Sequence, residues 1–161
     1  MYQVLFVCTG NTCRSPMAEA LLHTKMEGHG MTGRMSVSSA GIEALEGRQA
    51  SPEASKVMDR RGISLERHRS RQVQRERIAQ ADLVLTMTGS HKQRIKDCYS
   101  GAQGKTFLLS EYAGGSGDVP DPIGGSSLEY ELCSDLLDRL LNEAWEKILT
   151  AAGKKEKNGE K

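Results

Sequence analysis

The sequence predicts a single-domain α/β protein in which a four-stranded parallel sheet is flanked by helices on both faces. Short apolar runs bounded by turn residues alternate with segments whose apolar residues have helical spacing. The length of 161 residues fits one domain and is sufficient to bury a core. In such sheets, ligands bind at the carboxyl ends of the strands. The first turn after a strand is therefore the first place to look for a site.

The first strand and helix are the most clearly marked elements. Residues 4–7 are apolar throughout, which is typical of a strand buried on both faces. Ser15 is the predicted N-cap of the following helix, with Pro16 at its first position. Gly28 or Gly30 is expected to end that helix.

The same alternation continues through the middle of the chain. The predicted elements are a strand over 35–39, a helix from Ser51-Pro52 to Gly62, a short helix over 71–79, a strand over 83–85, a helix over 88–98 and a strand over 106–109.

The last third predicts one long loop and one long helix. Residues 114–127 are rich in glycine and too poor in apolar residues to form an element. Residues 132–149 carry leucines at helical spacing and form the closing helix. Residues 153–161 are charged and cannot bury apolar area, so a disordered tail is expected after a domain over 1–152.

The composition excludes several classes of partner. Lys and Arg number 22 and Asp and Glu 21, for a net charge of +1, so no nucleic-acid partner is expected. No apolar run is long enough to span a membrane, and the N-terminus lacks signal-peptide features. A cytoplasmic monomer with reduced cysteines is expected. The four histidines show no metal-ligand spacing, so neither a metal nor a cofactor is predicted.

The turn after the first strand has a pattern suited to binding phosphate. It begins with Cys8, and Arg14 and Ser15 follow in a C-x5-R-S arrangement. A loop from a strand to a helix can point successive backbone N–H groups at an anion, and Gly10 and Asn11 tolerate positive φ. The guanidinium matches two phosphate oxygens. The positive potential of these N–H groups and of the guanidinium predicts that the pKa of the Cys8 thiol falls below about 8.5. Cys8 would then be a nucleophile for phosphorus.

A buried cysteine followed by an unrelated arginine is the structural alternative. The position of the pattern, between a buried strand and a Ser-Pro helix start, favours the phosphate loop.

Residues 4–19, VLFVCTGNTCRSPMAE, resemble the signature of the low-molecular-weight protein tyrosine phosphatase family. Similarity continues at residues 39–41, 81–85 and the Asp121-Pro122 pair. The resemblance implies a four-stranded parallel sheet, a phosphocysteine intermediate and a phosphorylated protein as substrate. It also implies that Asn11 and Ser39 support the loop. The residues expected to contact the phosphate are Thr9, Gly10, Asn11, Thr12, Cys13, Arg14 and Ser15.

The reaction needs a group that protonates the leaving atom. Asp118 and Asp121 both lie in the glycine-rich loop. Asp121 is predicted as the acid and base, since the family's acid is the Asp of its Asp-Pro pair. Asp118 is expected to be a solvated loop residue.

Two departures from the tyrosine-specific pattern point to a different phosphorylated residue. Position 12 carries Thr12 instead of a bulky apolar residue, and Ile123-Gly124-Gly125 replaces the aromatic residues that usually follow Asp-Pro. In both places the chain resembles bacterial protein-arginine phosphatases. A phosphoguanidinium needs hydrogen-bond acceptors, which a threonine hydroxyl and a carboxylate supply. Glu43 and Leu45 are weak candidates for the pocket rim. Tyrosine specificity is the alternative.

Two other function classes are less consistent with the sequence. Arsenate reductases of the same fold relay a disulfide through two nearby cysteines, whereas Cys98 and Cys133 are 35 positions apart. A non-catalytic phosphoprotein-binding module would lack the nucleophile or the acid, and this chain has both.

Overall fold

A computed structural model describes residues 1–159 as four parallel strands with helices on both sides of the sheet. The elements are β1 (Tyr2–Cys8), α1 (Arg14–Gly28), β2 (Met35–Gly41), α2 (Pro52–Arg60), α3 (Arg75–Gln80), β3 (Leu83–Thr86), α4 (Gly89–Cys98), β4 (Thr106–Leu108), α5 (Leu109–Tyr112) and α6 (Ser127–Gly159). The strand order is β2-β1-β3-β4, so the predicted fold class is confirmed.

The central strand β1 divides the core into two halves. Val4 and Phe6 face the apolar cluster formed with α1, α2 and α6. Leu5 and Val7 face the opposite cluster, which includes Ile95 of α4. Alternate residues of a strand point to opposite faces, so an apolar run is needed where both faces are covered. No helix among residues 1–159 is long and apolar enough to cross a membrane.

Several element boundaries differ from the prediction. The helix α1 begins at Arg14 with Cys13 as N-cap, and Ser15 does not cap it. The hydroxyl of Ser15 instead contacts the Cys8 sulfur. The strand β2 extends to Gly41, whose backbone N–H and carbonyl bond to residues 71 and 73. This pairing keeps residues 71–73 extended, which explains why α3 begins later than predicted.

The closing helix is longer than predicted. Residues 153–159, which were expected to be disordered, are its last turns. Ala152 is buried and α6 continues to Gly159. Its last turns are held by charge instead of apolar contact: Glu156 pairs with Arg34, and Lys155 lies 2.7 Å from the Asp82 carboxylate. Residues 160 and 161 of the predicted tail lie outside the described residues.

Candidate active site

The loop between β1 and α1 lies at the carboxyl ends of the strands, where the sequence predicts a site. Cys8 at the end of β1 pairs with Gly41 of β2, and the preceding Val7 pairs with Thr86 of β3. Residues 9–13 turn over this edge before α1 begins. The phosphate loop, residues 8–15, is therefore supported by the ends of three strands.

Gly41 is a site residue that sequence reasoning missed as a support of this loop. A Cβ at position 41 would lie 2.5 Å from the Thr9 carbonyl oxygen and 2.9 Å from the Asn11 nitrogen. Contacts that short do not occur in folded chains, so only glycine lets the loop rest on β2. Gly10, by contrast, does not adopt the positive φ that it could tolerate.

Asn11 locks the conformation of the phosphate loop. It is fully buried and has a φ of 58°, in the left-handed region as predicted. Its Nδ2 donates to the hydroxyls of Ser15 at 2.8 Å and Ser39 at 2.9 Å. Its Oδ1 accepts the Arg71 N–H at 3.0 Å, and its carbonyl oxygen lies 2.7 Å from Nε2 of His68. The side chain and carbonyl of this one residue thus tie the loop to α1, β2 and residues 68–71.

The supporting network extends to an acidic residue on α1. The Ser39 hydroxyl donates to the Glu19 carboxylate, which also lies 4.0 Å from Nδ1 of His68. Burial lowers the pKa of His68, so its ring is neutral near pH 7. Sequence reasoning found Ser39 but gave Glu19 and His68 no role, because their contacts join segments that are far apart in the chain.

Cys8 is buried at the base of the loop with a hydroxyl beside its sulfur. The residue is 3% exposed, and its Sγ lies 2.8 Å from Oγ of Ser15. Burial raises the pKa of the Cys8 thiol, whereas the Ser15 hydroxyl, the backbone N–H groups of Ser15 and Asn11 and the Arg14 charge lower it. The predicted net lowering is wrong, because the loss of hydration outweighs these groups. The groups expected to favour the thiolate are nevertheless in place.

Arg14 connects the phosphate loop to the glycine-rich loop. It is 4% exposed, and its Nη1 donates to the Val119 carbonyl at 3.0 Å. Its Nη2 lies 3.4 Å from Oδ2 of Asp121. The Asp121 side chain is 42% exposed, and its Oδ1 accepts the Ile123 N–H at 3.1 Å. The carboxylate therefore stands at the entrance, between the buried cation and solvent.

Asp118 is exposed, as was predicted for a solvated loop residue, but it also makes a contact that was not predicted. Its Oδ1 accepts the backbone N–H of Gly89 at 2.8 Å, at the start of α4. The carboxylate thus anchors the glycine-rich loop to a helix, which no local pattern in the loop could reveal.

Thr12 borders an open cavity of about 620 Å³ on the outer side of the phosphate loop. The rim candidates Glu43 and Leu45 line the same cavity, together with Gly10 and Arg48. Leu45 is exposed. The structure therefore brings the weakly predicted rim residues to the position predicted to face the substrate.

The remaining cysteines differ in their surroundings. Cys13 Sγ lies 3.3 Å from the Ser51 hydroxyl and 3.5 Å from that of Tyr130. Cys98 lies on α4 and Cys133 on α6, which pack on opposite faces of the sheet. Burial raises the pKa of Cys133 to about 12. A disulfide relay between Cys98 and Cys133 is incompatible with this placement.

Comparison with known proteins agrees with this geometry. The model of the family described as low molecular weight phosphotyrosine protein phosphatase matches residues 3–157. A protein-arginine-phosphatase from Geobacillus stearothermophilus is 44% identical over 92% of this chain and 97% of its own. A probable low molecular weight protein-tyrosine-phosphatase, EpsP, from Ralstonia nicotianae is 37% identical over 93% of this chain and 97% of its own.

A solved structure has the same fold. YwlE arginine phosphatase from Geobacillus stearothermophilus superposes with a TM-score of 0.86 and 44% identity, covering 93% of this chain and 94% of that one. The family match therefore extends across the phosphate loop, the glycine-rich loop and all four strands, and the chain belongs to the low molecular weight phosphotyrosine protein phosphatase family.

Proposed function

We propose that this protein is a cysteine-dependent phosphoprotein phosphatase that removes phosphate from phosphoarginine in proteins. The observation that carries the proposal is that a nucleophile and an anion-binding cation of the phosphate loop lie beside an acid of the glycine-rich loop. Cys8 lies at the base of the phosphate loop, and Arg14 of that loop lies 3.4 Å from Asp121. Relatives that are named protein-arginine-phosphatase support the same reading.

The first step transfers the phosphoryl group to the enzyme. The Cys8 thiol loses its proton to solvent, and the resulting thiolate attacks phosphorus, so a sulfur–phosphorus bond forms as the phosphorus–nitrogen bond breaks. The electron pair of the broken bond stays on the guanidino nitrogen, which takes a proton from Asp121. Thr9, Gly10, Asn11, Thr12, Cys13 and Ser15 surround the phosphoryl oxygens, and the Arg14 fork binds two of them.

The second step releases phosphate. Asp121, now a carboxylate, takes a proton from a water molecule that attacks the phosphocysteine. The sulfur–phosphorus bond breaks, and its electron pair returns to the Cys8 sulfur. The Ser15 hydroxyl, 2.8 Å from that sulfur, stabilises the thiolate as it leaves.

The preference for phosphoarginine depends on the pocket wall. Thr12 presents a hydroxyl beside the outer cavity, and Ile123 follows the acid where tyrosine-specific enzymes carry aromatic residues. A phosphoguanidinium offers several N–H donors, which a hydroxyl and a carboxylate accept. Phosphotyrosine is the alternative substrate, and relatives that are named tyrosine phosphatases support this alternative.

The proposed working unit is a cytoplasmic monomer that does not bind nucleic acid. All of the proposed catalytic groups come from one chain, so no second copy is needed to complete the site. The four cysteines are free, and free thiols persist in a reducing compartment, which supports a cytoplasmic location. The net charge of +1 supports a protein substrate over nucleic acid.

The direct test compares turnover of a phosphoarginine peptide with that of a matched phosphotyrosine peptide. We expect the wild type to have the higher kcat/KM on phosphoarginine, and Cys8→Ser to be inactive on both. A preference for phosphotyrosine would overturn the proposal that phosphoarginine is the substrate, but not the proposal that the protein is a phosphatase. A thioredoxin-coupled arsenate assay serves as the third arm, and turnover there would favour the distant alternative, arsenate reduction.

A further inference from the structure

The first turn of α4 contacts both loops of the site. The backbone N–H of Gly89 donates to Oδ1 of Asp118 at 2.8 Å. Two residues further on, Nε2 of His91 lies 2.9 Å from Oγ1 of Thr9, the residue directly after Cys8. One rigid turn therefore holds the phosphate loop on one side and the glycine-rich loop on the other.

The surroundings of His91 determine which of its nitrogens carries the proton. The residue is 8% exposed, and its Nδ1 is buried without a hydrogen-bond partner among residues 1–159. A buried N–H without an acceptor costs more than a buried lone pair without a donor. The neutral ring therefore carries its proton on Nε2 and donates it to Thr9.

The charges near the ring keep it neutral. Burial and the Arg14 charge lower the pKa of His91 to about 4, against the weaker opposing influence of Asp118 and Asp121. Near neutral pH the His91 ring therefore has a single N–H, and Oγ1 of Thr9 is its acceptor. The bond to Thr9 is thus a fixed part of the structure.

Besides the direct contact between Asp121 and Arg14, backbone bonds at Val119 attach the glycine-rich loop near the acid. The Val119 N–H donates to the Met87 carbonyl at 2.8 Å, and the Val119 carbonyl accepts from Arg14. Asp118 supplies the side-chain anchor, three residues before Asp121. The bond from Asp118 to Gly89 is short, and only three residues separate Asp118 from Asp121. A shift of the first turn of α4 would therefore move the acid relative to the Cys8 sulfur.

We infer that the first turn of α4 sets the position of the acid Asp121 against the nucleophile Cys8, with His91 and Asp118 as positioning residues. The inference rests on the roles proposed above for Cys8 and Asp121. His91 acts through Thr9 on the phosphate loop, and Asp118 acts through Gly89 on the glycine-rich loop.

Two pairs of variants separate a positioning role from a general structural one. His91→Ala removes the donor to Thr9, whereas His91→Gln restores a side-chain N–H. Asp118→Ala removes the acceptor for Gly89, whereas Asp118→Asn keeps a carbonyl oxygen at that place. His23→Ala, at an exposed histidine of α1, is the matched control.

A fifth variant removes only the backbone donor. Gly89 is the first residue of α4, where proline is well tolerated. The preceding Thr88 is extended, with φ of −133° and ψ of 159°, as a residue before proline should be. Gly89→Pro therefore deletes the N–H that Asp118 accepts while the helix is preserved, and Gly89→Ala is its control.

The readout is kcat/KM on two aryl phosphates, together with inhibition by vanadate. Phenyl phosphate has a poor leaving group that needs a proton, whereas p-nitrophenyl phosphate has a good one that does not. Vanadate reports anion binding by the phosphate loop alone. Aryl phosphates report the acid step whichever phosphorylated residue is the natural substrate.

A misplaced acid should affect the two substrates unequally. We expect His91→Ala, Asp118→Ala and Gly89→Pro each to lower kcat/KM on phenyl phosphate by about tenfold to a hundredfold. The loss on p-nitrophenyl phosphate should be smaller, and the vanadate inhibition constant should stay at the wild-type value. His91→Gln and Asp118→Asn should recover most of the activity.

Several results would overturn the inference. These are equal losses on both aryl phosphates, a parallel loss of vanadate binding, or activity equal to that of His23→Ala. A wild type that hydrolyses aryl phosphates but not phosphoarginine would refute the proposed substrate and leave the positioning role supported. A wild type inactive on phosphoarginine and on both aryl phosphates would overturn both.

Discussion

The Nη2 atom of Arg14 lies 3.4 Å from Oδ2 of Asp121, across 107 positions of sequence. The cation is almost fully buried, and the carboxylate is nearly half exposed. The contact places the proposed acid at the entrance of the phosphate loop, where a leaving group would depart. The first prediction concerns this carboxylate.

Asp121→Asn should lower kcat/KM on a phosphoarginine peptide by about 10²–10⁴-fold, the usual contribution of a positioned acid. The amide cannot donate a proton to the guanidino nitrogen or take one from water. Steady-state kinetics measures the change, with the exposed Asp59→Asn as the control. An Asp121→Asn variant with wild-type kcat/KM would remove Asp121 from the mechanism.

Cys8→Ser should abolish turnover while vanadate still binds, because the loop and Arg14 are unchanged. Arg14→Lys should also lose most of its activity, since an ammonium group cannot bind two phosphate oxygens and the Val119 carbonyl at once. Turnover and vanadate titration of each purified variant provide the measurement, with the exposed Arg94→Lys as the control. Substantial turnover by Cys8→Ser would contradict the phosphocysteine route.

Ser15→Ala should shift the ionisation of Cys8 to higher pH. The Ser15 hydroxyl lowers the pKa of the Cys8 thiol, so its removal leaves burial less opposed. The thiolate is present only above the pKa, so alkylation by iodoacetate should rise with pH in both proteins and rise later in Ser15→Ala. The pH dependence of the inactivation rate gives both curves. A curve for Ser15→Ala at or below the wild-type pH would show that the hydroxyl does not favour the thiolate.

Mild peroxide should convert Cys8 and Cys13 to a reversible disulfide. The two residues belong to the same tight loop, and a thiolate is the form that peroxide attacks. Cys13 would have to leave Ser51 and Tyr130, which its sulfur now contacts. Peptide mapping should find the Cys8–Cys13 link in the wild type and in the control Cys98→Ser, and irreversible oxidation of Cys8 in Cys13→Ser. Sulfinic acid at Cys8 of the wild type, with no link, would count against the disulfide.

Thr12→Ile should shift the preference from phosphoarginine towards phosphotyrosine. The substitution removes an acceptor for the guanidinium and adds an apolar wall. A hydrogen bond to a charged group contributes about 1.5–3 kcal/mol, so the ratio of kcat/KM values should change by roughly tenfold to a hundredfold. Thr12→Ser, which keeps the hydroxyl, is the matched control. An unchanged ratio would place the specificity elsewhere on the rim.

The fold and the phosphate loop could be predicted because their signals are local. An apolar run, a Ser-Pro pair and a C-x5-R-S spacing lie within the first 16 residues, and the structure places them as a strand, a helix start and a loop. The contacts that join distant segments could not be predicted. The bond from His91 to Thr9 spans 82 positions, and its existence depends on how α4 packs.

Two errors have specific physical reasons. Residues 153–159 were expected to be disordered because they bury little apolar area, but ion pairs from Glu156 to Arg34 and from Lys155 to Asp82 hold the helix there. The partners in these pairs are far apart in the chain, so the pairs cannot be predicted from local composition. The pKa of Cys8 was expected to fall because the sequence shows the groups near the thiol but not the depth at which it is buried.

Gly41 limits how this site can be redesigned. The carbonyl of Thr9 and the amide nitrogen of Asn11 occupy the space that any side chain at position 41 would need. Glycine is therefore the only residue that fits at position 41, although it touches no substrate. Rim positions such as Leu45 are exposed and carry no such restriction. A library that alters substrate preference should diversify the outer wall and leave the end of β2 unchanged.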